Sequence, residues 1–206
     1  MTGAVETDPI TLTVLWNRLV GICEEMGTTL QRTGKSEAVS AGQDFSTGLF
    51  DRHGRMVSQG NFSPGHLGSM PKVVEHVTDR FSPDDLEPGD GILLNDSKMG
   101  SGHLPDFFLV TPVFVDEAIQ GYTVTTAHMI DVGGRAAGSQ AVDATEIYQE
   151  GLRFFPTRIV RDDEIQEWFE GLVRANSRVP DTVLGDVRAQ QNANHRGRVL
   201  FQELLA

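Results

Sequence analysis

The strongest constraint in this sequence is a pair of apolar runs set back to back. Phe107 to Val115 and Ile119 to His128 are rich in β-branched and aromatic residues, and Asp116-Glu117-Ala118 between them is short and polar, which predicts a β-hairpin. Centring the loop on Glu117 sets Asp106 opposite His128, and directly opposed side chains project from one face with Cβ atoms roughly 5 Å apart. His103 precedes Asp106 in Gly102-His103-Leu104-Pro105-Asp106, a Pro-containing turn that can bend it toward the same point. Two imidazoles and one carboxylate make a three-ligand site for a divalent cation, Zn or Mn, with a coordination position left for chemistry. Other readings stay open on spacing alone. The His-x-x-Asp pattern also occurs in chains without metal, and a one-residue shift of the turn would put His128 on the opposite face.

Composition narrows the classes. With 206 residues the chain is long enough for one domain with its own core. Lys plus Arg is 17 against 29 for Asp plus Glu, a net charge of -12, which disfavours nucleic acid as a partner because a phosphate backbone needs a basic face. The single cysteine, Cys23, excludes an internal disulfide and a Cys-rich metal framework. Met1 to Thr7 shows no signal region, and there is no apolar run of membrane-spanning length, so a cytoplasmic location is expected.

Along the chain, Asp8 before Pro9 starts a helix whose stripe of Leu12, Leu15, Leu19, Ile22, Met26 and Leu30 serves as core or subunit contact. Cys23 borders it as a small buried hydrophobe. Lys35 to Gln43 reads as a loop, and Phe45 to Ser58 as a hairpin with His53 solvated at its tip. His66 lies among Ser63, Pro64, Gly65, Gly68 and Ser69, at the start of a helix over 69–80 that packs Val73, Val74 and Val77, with His76 structural beside them. It either holds an anionic or carbonyl group of a substrate, aided by helix N-terminal amides, or merely caps the helix. Ile92-Leu93-Leu94 is a buried strand leading to Asp96, a further carboxylate ligand or, preferably, a partner fixing a histidine tautomer. Asp131 is placed to orient the free ring nitrogen of His128, and Gly133-Gly134 open a flexible loop suited to a lid. Glu146 and Glu150, one helical turn apart, point the same way, into an active site or into solvent. Two helices follow Arg161, one with Ile165, Trp168, Phe169, Leu172 and Val173, the other after Pro180, and together they cover the sheet. His195 is a surface residue.

Seven motifs occur in order: Asp8-Pro9-Ile10-Thr11-Leu12, Asp44-Phe45-Ser46, His66-Leu67-Gly68-Ser69-Met70-Pro71, Leu93-Leu94-Asn95-Asp96, His103-Leu104-Pro105-Asp106, Asp131-Val132-Gly133-Gly134 and Ala144-Thr145-Glu146-Ile147-Tyr148-Gln149-Glu150-Gly151-Leu152. Together they resemble the hydantoinase B/oxoprolinase family. The resemblance implies an α+β fold, a mixed and largely antiparallel sheet with β-hairpins and flanking helices. It also implies a metal-bearing catalytic subunit in which His103, Asp106 and His128 bind Mn or Zn; the local reading above adds His66, Asp131 and Glu146 as candidate catalytic residues. The activity implied is ATP-dependent ring opening of a cyclic amide such as a hydantoin or 5-oxoproline, with ketone carboxylation as the nearest alternative. ATP is then used by a hydantoinase A-like partner subunit, consistent with the absence of a GxxxxGK phosphate loop here.

Members of that family are typically more than twice as long. Residues 1–206 are therefore expected to form a single hydantoinase B-like domain matching the N-terminal portion of a longer architecture, either as a fragment of it or as a split subunit whose remainder is another chain. Departures from the pattern, Met129 where relatives carry a second histidine and the altered stretch Lys35 to Gln43, motivate a third reading as a non-catalytic assembly subunit.

Overall fold

The computed structural model describes residues 8–66 and 68–205; the N-terminal stretch read above for a signal region lies outside them. Asp8 caps the first helix, α1 (Pro9–Thr33), its Oδ1 accepting from the amides of Ile10 and Thr11 at 2.9 and 3.1 Å, an arrangement that contributes about 1 kcal/mol. The predicted stripe divides in two. Ile22, Cys23, Met26 and Leu30 are buried, whereas Leu12 and Leu15 stand exposed together with Ile10, Val14 and Trp16. Burial pushes the Cys23 thiol up to about 12, so it is inert at neutral pH.

The segment expected to be a loop contains a short helix, α2 (Glu37–Ser40), because the Ser36 hydroxyl accepts from the Val39 amide and caps it. Then come β1 (Phe45–Asp51), β2 (Met56–Gln59), α3 (Met70–Arg80), β3 (Gly91–Leu94), β4 (Asp106–Val115), β5 (Ala118–His128), β6 (Thr157–Arg161), β7 (Glu164–Ile165), α4 (Glu167–Asn176) and α5 (Pro180–Leu205). The strands form one sheet in the order β2-β1-β5-β4-β3-β6-β7. Every pairing is antiparallel, so the sheet is not mixed as the sequence suggested. β6 and β7 were also not foreseen: they are short, and their connection, Asp162-Asp163, takes positive φ at two acidic residues rather than at a Gly.

Both faces of the sheet are covered, which is why the central strands read as unbroken apolar runs. Phe107 and Leu109 point toward α1, α4 and α5; Phe108 and Val110 point toward α3, with its buried Val73, Val74 and Val77. α5 lies across the middle of the sheet, where Gln190 Nε2 donates to the Phe107 carbonyl at 2.7 Å and Asn194 Nδ2 to that of Leu109 at 2.9 Å. Among the described residues no helix is long and apolar enough to cross a membrane.

The β4–β5 hairpin turns through Asp116 and Glu117, with φ of 49° and 63°. Two consecutive left-handed residues are the mark of a type I′ turn, one residue shorter than the expected loop. The ladder then slips by one between Val113↔Gly121 and Phe114↔Ile119, leaving Gln120 as an extra bulged residue. The shorter turn and the bulge compensate, and Asp106 pairs with His128 as predicted.

Candidate metal centre

The hairpin register places Asp106 and His128 side by side at the open end of β4 and β5. β1 adds Asp44 to the same row, since the His128 amide donates to the Asp44 carbonyl at 3.0 Å. One row further in lie Ser46, Thr126 and Phe108, which pair across the three strands. His103 comes from the turn before β4, where the Ser101 hydroxyl donates to the carbonyls of His103 and Asp106. His66 is carried in by the 3-10 turn Pro64–His66.

Asp106 is the hub. Its Oδ2 lies 2.9 Å from His103 Nδ1 and 3.5 Å from His66 Nε2, and its Oδ1 lies 3.2 Å from His128 Nδ1. Burial by itself would raise the Asp106 pKa, but hydrogen bonds from His103 and His128 outweigh it and hold the carboxyl well below the usual carboxylate range. The reciprocal bond from Asp106 raises the pKa of His103 against a smaller opposing effect of burial. The rings of His103 and His128 lie 5.0 Å apart at 32°, and one ligand atom from each of His103, Asp106 and His128 falls within 4.8 Å of the others. Ligands about 2.1 Å from a common ion stand at most about 4.2 Å apart, so small side-chain rotations close the trio on a cation. Nitrogen and carboxylate oxygen donors suit Zn and Mn.

The other expected residues fall differently. His66 is 7% exposed, so it neither stands at an open rim to grip a substrate nor caps α3. Its Nδ1 lies 3.2 Å from Ser46 Oγ and its Nε2 faces Asp106. Asp131 is buried but does not orient His128; it accepts from the amides of Gly133, Gly138 and Arg178 and from the Arg178 guanidinium. Burial alone would raise its pKa, and those four donors carry it below the usual value. The His128 Nε2 is met instead by Gln140 at 3.3 Å. Asp96 binds Arg153 and caps the turn at Ser97–Met99 instead of reaching a histidine.

The Gly133-Gly134 loop is pinned, not lid-like. Arg178 binds the Gly133, Gly134 and Ala136 carbonyls, and a Cβ at Gly134, where φ is 79°, would meet the Gln149 carbonyl oxygen at 2.5 Å. That close approach brings in Glu150, which shares a cleft of about 220 Å³ with His103, Pro105, Gln140 and Val142. Glu146 is exposed and sits before a 3-10 turn rather than on an α-helix, so the expected common direction of the two glutamates is lost. Gln140 carried no signal in the sequence. Glu150 carried one in the Gly151 that follows it, at φ 130°, where a Cβ would collide with the Val132 carbonyl.

An antiparallel α+β layer thus carries, at one end of its central hairpin, a His-Asp-His group able to hold a metal ion. The sequence comparison is specific: residues 8–206 match the hydantoinase B/oxoprolinase family model, and the chain belongs to that family. It is 33% identical to the 5-oxoprolinase PfmaA of Pestalotiopsis fici over 98% of this chain and 16% of the relative. The crystal structure of the ATP-dependent caprolactamase from Pseudomonas jessenii superposes with a TM-score of 0.88 at 33% identity, covering 97% of this chain and 34% of the other. Nucleotide-free acetone carboxylase shares the fold, with a TM-score of 0.90 at 20% identity over 97% of this chain and 26% of the other. The chain thus spans between 16% and 34% of the length of these relatives.

Proposed function

We propose that this chain is the metal-bearing part of an ATP-dependent cyclic amide hydrolase, acting on a lactam or hydantoin ring with an ATP-using, hydantoinase A-like partner. The observation that carries the reading is the convergence of His103, Asp106 and His128 on one point in a chain that is a third identical to an ATP-dependent caprolactamase. A divalent cation held there by His103, Asp106 and His128 would supply Lewis-acid chemistry, lowering the pKa of a bound water from 15.7 toward about 7 and polarising an amide oxygen.

The chain's own residues then have defined tasks. Asp106 would supply the negative charge of the ligand set, its two oxygens lying beside the Nδ1 atoms of His103 and His128. Gln140 fixes the far side of the His128 ring. Glu150, facing the cleft beside His103, is placed to accept or return a proton as the ring opens. The Asp131–Arg178 clip and the glycine contacts hold the wall that carries Gln140 and Glu150.

The test is phosphate release by the complete assembly with ATP and, in turn, hydantoin, 5-oxoproline, caprolactam, and acetone with bicarbonate. Release coupled to opening of one of the cyclic amides supports the reading. Release only with acetone and bicarbonate replaces it with ketone carboxylation, and no release from a well-folded assembly containing metal leaves an assembly role.

A further inference from the structure

Asn95 directly follows β3 and is fully buried, and its side-chain amide is spent wholly on the backbone of two other segments. Nδ2 donates one hydrogen to the Leu104 carbonyl at 2.6 Å and the other to the Leu152 carbonyl at 2.9 Å, while Oδ1 accepts from the Phe154 amide at 2.6 Å. Two carbonyls on one side and one N–H on the other permit only this orientation of the amide. The Asn95 backbone amide adds a bond to the Phe154 carbonyl at 3.2 Å.

These contacts join the two segments that supply His103 and Glu150 to one cleft. Within the turn, the Ser101 hydroxyl holds the His103 and Asp106 carbonyls, and the Met129 amide holds that of Pro105 at 2.8 Å. The Leu104 carbonyl is left to Asn95. On the other side, Leu152 lies two residues past Glu150. Among the described residues the turn and the segment 149–154 share no direct hydrogen bond, so Asn95 is the tie between them. Asn194 provides the contrast. It is equally buried and donates to the Leu109 carbonyl at 2.9 Å, but it meets a strand that the sheet already fixes on both edges.

We propose that Asn95 is a positioning residue for the centre: it fixes the His103 turn against the Glu150 segment and so sets the separation of imidazole and carboxylate across the cleft. The proposal rests on the reading of His103 as a ligand and Glu150 as a proton carrier. Asn95→Asp keeps the shape and the acceptor for Phe154, but it turns both donors into a carboxylate oxygen facing two buried carbonyls, which drives Leu104 and Leu152 apart. The backbone bond to Phe154 and the neighbouring Asp96–Arg153 pair still bind the segments together.

Equilibrium dialysis against Mn(II) and steady-state ring opening by the complete assembly test this, with Asn194→Asp as the comparison. Asn95→Asp should bind Mn(II) about 10-fold more weakly, the lower end of what losing a partner outside the ligand set costs. At saturating Mn(II) its kcat should fall about 10-fold with KM within about twofold, the signature of misplaced chemical groups. Asn194→Asp, outside the cleft, should lower Tm comparably and leave Mn(II) affinity and kcat within about twofold. Asn95→Ser, which opens space for a water in place of the amide, gives the same Mn(II) comparison if Asn95→Asp does not fold. Asn95 variants that match Asn194→Asp, in an assembly whose unsubstituted form binds Mn(II) and opens the ring, overturn the positioning role alone. An unsubstituted assembly that binds no Mn(II) overturns the reading of the centre and the positioning role with it.

Discussion

Asp106 and His128 face each other across β4 and β5 with carboxylate and imidazole 3.2 Å apart, and the two ends of their hairpin reach that register by offsetting departures. The turn is a residue short and Gln120 restores the count. Asp106→Asn should lower Mn(II) or Zn(II) affinity by at least about 100-fold, the upper end of what losing even a supporting partner of a metal ligand costs. Equilibrium dialysis against either metal measures it. Unchanged affinity would remove Asp106 from the centre.

At the far end of the same hairpin, Asp116 and Glu117 adopt left-handed φ without being glycine. Replacing them by Asn-Gly, the pair that type I′ turns favour, should stabilise the fold by about 0.5–1 kcal/mol. Urea unfolding reads this as a higher midpoint with the same slope. A loss of stability would mean that the turn is not of this type.

Asp131 gives the pH dependence. Its folded pKa is depressed, so its contribution is complete above the unfolded value of about 3.9 and is lost as pH falls through the lower folded value. Asp131→Asn should flatten the acid limb of a plot of Tm against pH below about pH 4. Asp131→Ala should cost about 3 kcal/mol near neutrality, because it leaves buried amides and Arg178 without their acceptor.

The two halves of α1 should respond differently. Met26 is fully buried, and Met26→Ala should cost about 2–5 kcal/mol. Trp16 is 57% exposed, and Trp16→Glu should change the stability of this chain by less than about 0.5 kcal/mol.

Glu150→Gln should reduce ring opening by about 100-fold if it moves a proton, within the usual range for general acid-base groups. Glu146→Gln, whose side chain lies outside the His103 cleft, should leave it within about twofold. The steady-state rate of the complete assembly distinguishes them, and equal losses would return Glu146 to the site.

The trio was legible because strand alternation and a short turn reduce the problem to counting, and either error alone would have spoiled the count. α1, α3 and α5 were legible from their caps and apolar spacing. The alternation of Asp44, just before β1, and Ser46 within it held a further clue: it puts both on the face where Asp106 and His128 meet. What stayed hidden was set by contacts between segments distant in sequence. Asp131 finds Arg178, Asp96 finds Arg153, and Gln140 finds His128; none of these partners is implied by local periodicity. The helical spacing expected of Glu146 and Glu150 gives way to a 3-10 turn because Gly151 and the paired glycines at 133 and 134 enforce close backbone packing.

The bulge at Gln120 has an effect far from itself. β4 runs ten residues from Asp106 to Val115, about 30 Å at strand rise, so a turn on the outer rim acts as the index mark for chemistry at the opposite edge. Most surface loops absorb an inserted residue without consequence; here an extra residue that kept the two-residue turn would need a matching deletion at the bulge to hold Asp106 opposite His128.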